Sequence, residues 1–286
     1  GDSINLLSFK ADSIISALKT IPGIRDVTVS PVCCDVQNGY SIYIGIAERG
    51  TNILKYRVAP NQDLSLSDDI MQAYRNFNQQ VKEAAMKGEA SDEYFNGYSL
   101  LTYAPARKEQ SNIIVFAKQK YPELEKVLKH SKYAEHRAAA AQVIAYSNDK
   151  KKVAELLLHA IKDADENVRN NATRAIGVLA AYLSERPEIK VVIPAAPFID
   201  MLNSASWTDR NKAAMVLLEL TRRRDKDLLE QIKKHAMPSV IEMARWKNRG
   251  HALFSFIILC RLAGEDESSY IEGNFSSKWE ELAEHL

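Results

Sequence analysis

The stretch from Tyr133 to Tyr182 reads YAEHRAAAAQVIAYSNDKKKVAELLLHAIKDADENVRNNATRAIGVLAAY. The pattern R-x-x-A occurs in it twice, at Arg137–Ala140 and Arg169–Ala172. Each copy is followed by a pair of residues one helical turn on: Val143 and Ile144, then Ala175 and Ile176. Two further copies lie downstream. Arg210–Ala213 precedes Val216 and Leu217, and Arg249–Ala252 precedes Ser255 and Phe256. Successive arginines are separated by 32, 41 and 39 residues. A unit of roughly 40 residues made of two helices points to a stack of helix pairs, an α-solenoid.

Helical geometry assigns roles within the unit. At about 100° per residue, positions −1, +3, +6, +7 and +10 from each Arg share one face. That face packs on the partner helix, and Ala at +3 lets the two axes approach closely. Positions +1, +5 and +12 point the other way. This row includes Asn170, Arg174, Asn211, Met215, Arg222 and Phe254, the expected partner-binding residues. A Met and a Phe without packing duty can anchor a partner, and neighbouring Arg can hold its carboxylates.

Outward from the core stretch, the helix pairs read as Pro122–His130 with Ala134–Tyr146 and Lys150–Lys162 with Glu166–Leu183. They continue as Val191–Leu202 with Thr208–Arg223 and Asp227–Lys247 with Arg249–Ala263, Pro238 being a candidate break. A last acidic helix is expected over Ser277–His285, as a solenoid end needs a polar cap. Upstream, Asp68–Lys87 and Arg107–Lys120 read as helices that cap the first pair. Residues 89–106 read as an ordered, aromatic-rich connector, and Pro60–Ser67 as a linker.

The first 60 residues have a different rhythm. A helix over residues 8–20 puts Phe9, Ile14, Ile15 and Leu18 near one face, and Ile21-Pro22-Gly23 ends it. Ile24–Val29 is β-rich. Tyr40–Ala47 alternates with Ile42, Ile44 and Ile46 on one side, and Ile53–Val58 reads as a third strand after a turn at 48–52. The expected fold is therefore mainly α: about four helix pairs preceded by a small α+β module of one helix and three strands. The expected divisions are 1–62, 63–120 and 121–286.

The run Asp165 to Leu179 closely resembles the second helix of a HEAT repeat. It carries Val168, Arg169, Ala172, Ala175, Ile176, Gly177 and Leu179 in that family's pattern. The other copies depart from it at −1, with His136, Asp209 and Asn248 where Val168 stands. The resemblance spans about residues 121–263. It implies a fold and a tendency to bind partners, and nothing catalytic. In the HEAT family the Arg commonly pairs with an acidic residue of the preceding turn, which makes Asp163 and Asp165 candidates here. Ile21–Val29 is similar in shape to the start of heavy-metal-associated and POTRA modules. No C-x-x-C precedes the helix, so no metal role follows.

Composition narrows the function classes. The formal charge is +1, so no global field steers the chain to nucleic acid or anionic membrane. The apolar run Ala252–Cys260 is too short to span a bilayer. There is no GxGxxG, P-loop, GxSxG or HExxH, and the six histidines show no metal-ligand spacing. No catalytic residue, metal or cofactor is expected. Cys33-Cys34 reads as a buried pair after a strand. Arg222–Arg249 holds nine basic and four acidic residues, which read as a solvated helix end. The start at Gly1 suggests a processed chain, with an extracytoplasmic (periplasmic or secreted) bacterial setting as the expectation. The leading function is a non-catalytic scaffold that binds a protein or peptide on the solenoid. The alternative is a nucleic-acid-binding relative, since DNA glycosylases and bilin lyases are built on related repeats.

Overall fold

The computed structural model describes residues 10–33, 39–51 and 54–271, apart from the side chains of residues 33, 269 and 271. The side chain of Cys33, with Cys34, Phe9 and the expected helix over 277–285, lies outside what is described.

Four helix pairs follow one another as expected: α4 (Tyr121–His130) with α5 (Ala134–Ile144), and α6 (Lys150–Ala160) with α7 (Glu166–Ser184). Then come α8 (Ala196–Met201) with α9 (Trp207–Leu220), and α10 (Lys226–Ala244) with α11 (Arg249–Ala263). The second helices stack as one layer, α5 on α7, α7 on α9 and α9 on α11. Their packed faces match the spacing. Ala140, Ala172, Ala213 and Ala252 are all fully buried, as are Ile144, Ile176, Leu217 and Phe256 seven positions after each Arg. Small residues at the closest approach let the apolar pairs interdigitate at native density.

Two helices differ from their expected extent. Residues 191–194 belong to no helix, and α8 is a six-residue helix. The cause is Pro194, which biases Ile193 away from helical backbone, with Pro197 tolerated only in the first turn. Conversely, α10 runs through Pro238. Asn203 supports that segment, its amide donating to the His235 carbonyl at 2.9 Å and its oxygen accepting from the Ser239 hydroxyl at 2.7 Å.

Before the repeats, α2 (Asp68–Lys87) and α3 (Ala104–Gln119) pack on each other and on α5. Between them the connector folds as an antiparallel hairpin, β3 (Asp92–Phe95) and β4 (Tyr98–Leu101). Its turn is Asn96-Gly97, with φ of 47° and 77°. Two successive positive φ values are what a tight hairpin turn requires. Gln110 pins β4 from α3: its oxygen accepts from Leu101 N at 2.8 Å and its amide donates to Ser99 O at 3.0 Å.

The N-terminal module contains α1 (Ala11–Lys19) and an antiparallel pair, β1 (Ile24–Cys33) and β2 (Tyr40–Glu48). The expected third strand is corrected. Leu54–Val58 pairs with no strand and runs along the solenoid, where Arg57 N donates to Lys162 O at 2.7 Å. The alternation was real, but Leu54 and Tyr56 turn toward the helices, and Val58 is 92% exposed. Residues 60–67 likewise are no loose linker. They lie against the first repeat, with Lys132 N donating to Gln62 O, the Ser131 hydroxyl to Leu64 O and Leu66 N to the His136 ring.

Candidate partner-binding surface

A ladder of arginines joins the repeats. Arg137 reaches forward to the next repeat and bonds both oxygens of Asp163, at 2.9 and 2.8 Å. Arg169 does the same to Asp209, at 2.9 and 3.1 Å. Arg210 forks onto Glu242 at 3.0 and 2.9 Å, with its guanidinium over the Trp246 ring. Each of the first two also donates to a carbonyl six residues back in its own repeat, Ser131 O and Asp163 O. Of the two acids expected to pair with Arg169 or its neighbour, Asp163 takes the neighbouring Arg137, and neither carboxylate takes Arg169. Asp163 holds the previous repeat's Arg, and Asp165 caps α7 by accepting from Asn167 N and Val168 N.

The ladder has a fixed address. Residues 131, 163, 204 and 246 stand two before the caps Tyr133, Asp165, Ser206 and Asn248. Ser131, Asp163 and Ser204 each accept from the backbone N–H two residues on, at 2.9 to 3.0 Å. Such side-chain turns fix the loop into each second helix. In the third repeat this position is Ser204, and the carboxylate comes instead from Asp209, which Ser204 and Tyr56 both bond. Arg249 is out of register. It opens α11 and is exposed, while Arg137, Arg169 and Arg210 are each the fourth residue of their helix.

The N-terminal pair docks on the third and fourth repeats. Thr28 donates to Ala205 O at 2.6 Å, and Gly45 lies so close that a Cβ there would overlap that carbonyl oxygen. Tyr43 enters a box formed by Trp207, Trp246 and His251. Its hydroxyl lies 2.7 Å from His251 Nδ1. Burial and the Lys212 ammonium pull His251 down to about 4, and burial pushes Tyr43 up to about 12.

On the face opposite the packed one, the β3–β4 hairpin lies across α7 and shapes a cleft of about 180 Å³ with α2, α5 and α7. Phe77, Tyr98 and Tyr146 supply its aromatic walls, and Gln142, Asn170 and Arg174 its polar ones. The Gln142 amide nitrogen is buried and has no hydrogen-bond partner. At the hairpin tip Tyr94 and Phe95 are 54% and 57% exposed.

The six expected partner residues are spread over four environments. Asn170 and Arg174 line the cleft. Asn170 accepts from Thr208 at 2.6 Å, and Arg174 bonds Ser99 and Asp92 on the hairpin. Arg222 is exposed and pairs with Glu185 and Glu219. Phe254 is half-buried against the core. Asn211 and Met215 are corrected from surface to packing positions. Asn211 donates to His251 O, and Met215 fills the space left by Gly177 on α7, because the second helices approach each other closely there. The sequence reading missed the hairpin that builds the cleft.

Among the described residues no three His, Cys, Asp or Glu side chains group as a metal site, and no helix is long and apolar enough to cross a membrane. Cys260 is buried in α11, and burial foremost pushes its thiol up to about 12.

No curated protein sequence matches the chain. Among solved structures, a designed armadillo repeat protein is similar over 76% of this chain and 97% of its own, at 12% identity and a TM-score of 0.39, a loose likeness. The family described as HEAT repeats matches residues 121–188, which is α4 through α7. That match falls on the two repeats joined by Arg137 and Asp163, and the same helix-pair architecture continues to α11: the chain is a HEAT-like α-solenoid protein.

Proposed function

We infer that this protein is a non-catalytic binding module, and that its partner, a protein or peptide, seats in the cleft between the β3–β4 hairpin and helices α2, α5 and α7. A stack of helix pairs presents an extended surface suited to chain-like ligands. The observation that carries the assignment to this cleft is its composition. Three aromatic walls surround a buried amide donor, Gln142 Nε2, that the protein itself leaves unbonded. Burying a donor without an acceptor costs about 1–3 kcal/mol, which a ligand carbonyl would recover. Exposed Tyr94 and Phe95 beside it are the residue types that dominate interface energetics.

The test is capture of the partner from the native host, followed by purified binding with Tyr94→Ser/Phe95→Ser. Loss of binding with an unchanged melting temperature is expected. Full binding by that variant moves the site elsewhere, first to the N-terminal module.

A further inference from the structure

We propose that the peptide seated in the cleft carries a phosphorylated side chain, whose phosphoryl group is held in a second pocket across the Asn96-Gly97 turn by Lys150, Lys151 and Lys190. This rests on the cleft being the peptide site. The second pocket, of about 430 Å³, lies between the hairpin turn, the start of α6 and residues 189–191. Asn96 lines it while the adjoining Gly97 lines the cleft, so the two recesses share the turn as a wall. A ligand running over that turn meets both.

Three of the lining residues are lysines and one, Asp149, is an acid. Asp149 is already engaged: it accepts from Lys152 N at 3.1 Å and lies 3.8 Å from Lys152 Nζ. Among the described residues, none of the three lysines pairs with a carboxylate. Lys150 is the anchor. It is only 6% exposed, its Nζ donates to Ser147 O at 2.9 Å, and it lies 5.3 Å from the centre of the Tyr98 ring that walls the cleft. An ammonium has three donors, and one meets a protein oxygen here. Buried charges are ordinarily paired, and without a partner burial draws this one down to about 8. Three lysines against one aspartate leave the pocket at +2, which a dianionic phosphoryl group balances and a carboxylate does not. Lysines hold phosphate as point charges, so they serve from several directions. A nucleic-acid strand fits less well, because successive phosphates favour a line of cations, whereas these three surround one pocket.

The experiment uses the full chain, inorganic phosphate, and two labelled random-sequence peptide pools that differ only in a central residue, phosphoserine or serine. Millimolar phosphate is expected to raise the melting temperature by about 3 °C over chloride at equal ionic strength. Lys151→Gln/Lys190→Gln, which changes two exposed side chains, is expected to remove most of that rise. The wild type is expected to hold the phosphoserine pool about tenfold more tightly than the serine pool, and the lysine variant to hold the two alike. A phosphate effect absent from the wild type, or undiminished in the lysine variant, would overturn the pocket. Stabilisation by phosphate with no preference between the pools would overturn the peptide source in favour of free phosphate. Retention of the phosphoserine pool by Tyr94→Ser/Phe95→Ser at the wild-type level would overturn the cleft and leave the pocket standing. Displacement of that pool by an oligothymidylate would overturn the proposal in favour of a nucleic-acid ligand.

Discussion

Asp209 immediately precedes Arg210 in sequence, yet both of its oxygens are held by Arg169 of the preceding repeat. The pair is almost entirely buried and is reinforced by the Ser204 and Tyr56 hydroxyls, with the Tyr56 ring under the Arg169 guanidinium. One carboxylate therefore ties together two repeats and the segment that leads out of the N-terminal module.

Breaking that pair from one side leaves an uncompensated buried charge. Asp209→Ala is expected to cost about 3–5 kcal/mol. Tyr56→Phe, which removes one hydroxyl, is expected to cost about 1 kcal/mol. Urea unfolding of the two variants and their double mutant checks this. Strict additivity would show that Tyr56 and Asp209 act independently.

Close helix approach sets the second expectation. Ala172 is fully buried on the packed face of α7. Ala172→Leu is expected to overpack the α6–α7 contact and lower stability by about 1–3 kcal/mol. An unchanged melting temperature would count against the packing described.

Gly45 controls docking of the N-terminal pair. In Gly45→Ala the new Cβ meets the Ala205 carbonyl oxygen and, at 2.6 Å, the Thr28 hydroxyl. Backbone on one side cannot yield as a flexible side chain would. The sheet is expected to lift from α9, exposing Trp207 and Trp246, with a red shift in tryptophan emission and faster proteolysis near residues 48–60. Native emission would show that the contact tolerates a methyl group.

Acid is expected to act at the same junction. His251 in the fold titrates near 4 against 6.5 when unperturbed, with Tyr43, Trp207, Trp246 and the Lys212 ammonium facing it. A depressed imidazole pKa means the unfolded chain binds the extra proton first. The stabilisation is whole above about 6.5 and is lost as pH falls from there toward 4, by on the order of 2 kcal/mol after allowing for partial exposure. Melting followed across that window checks the sign, and His251→Gln is expected to flatten it.

The repeats were legible because one Ala and its apolar neighbours recur at spacings that only a packed helix face explains. Arg169's partner was not, because an ion pair across 40 residues leaves no local pattern. Asp209 looked like a lapse at a core position and is in fact the carboxylate that the third repeat lacks at Ser204. Asn96-Gly97 between aromatic residues is a hairpin turn signal, which the reading of residues 89–106 as a connector passed over. Leu54–Val58 alternated as a strand does, but the surface that its inward residues meet is a helix layer. Arg249 kept the spacing without the register, because a shift of three residues on a helix returns to nearly the same face. The cleft draws on four elements far apart in sequence, so only Gln142, Asn170 and Arg174, at +5 from Arg137 and at +1 and +5 from Arg169, could be placed on its face beforehand.

The most direct measurement is site-specific photo-crosslinking to the captured partner. A photoreactive residue would replace Phe95 at the hairpin tip, Val115 on α3 or Ile44 on β2, all of them exposed. The expected result is a partner adduct from position 95 and none from 115 or 44. Adducts from 44 with none from 95 would contradict it and place recognition on the N-terminal sheet.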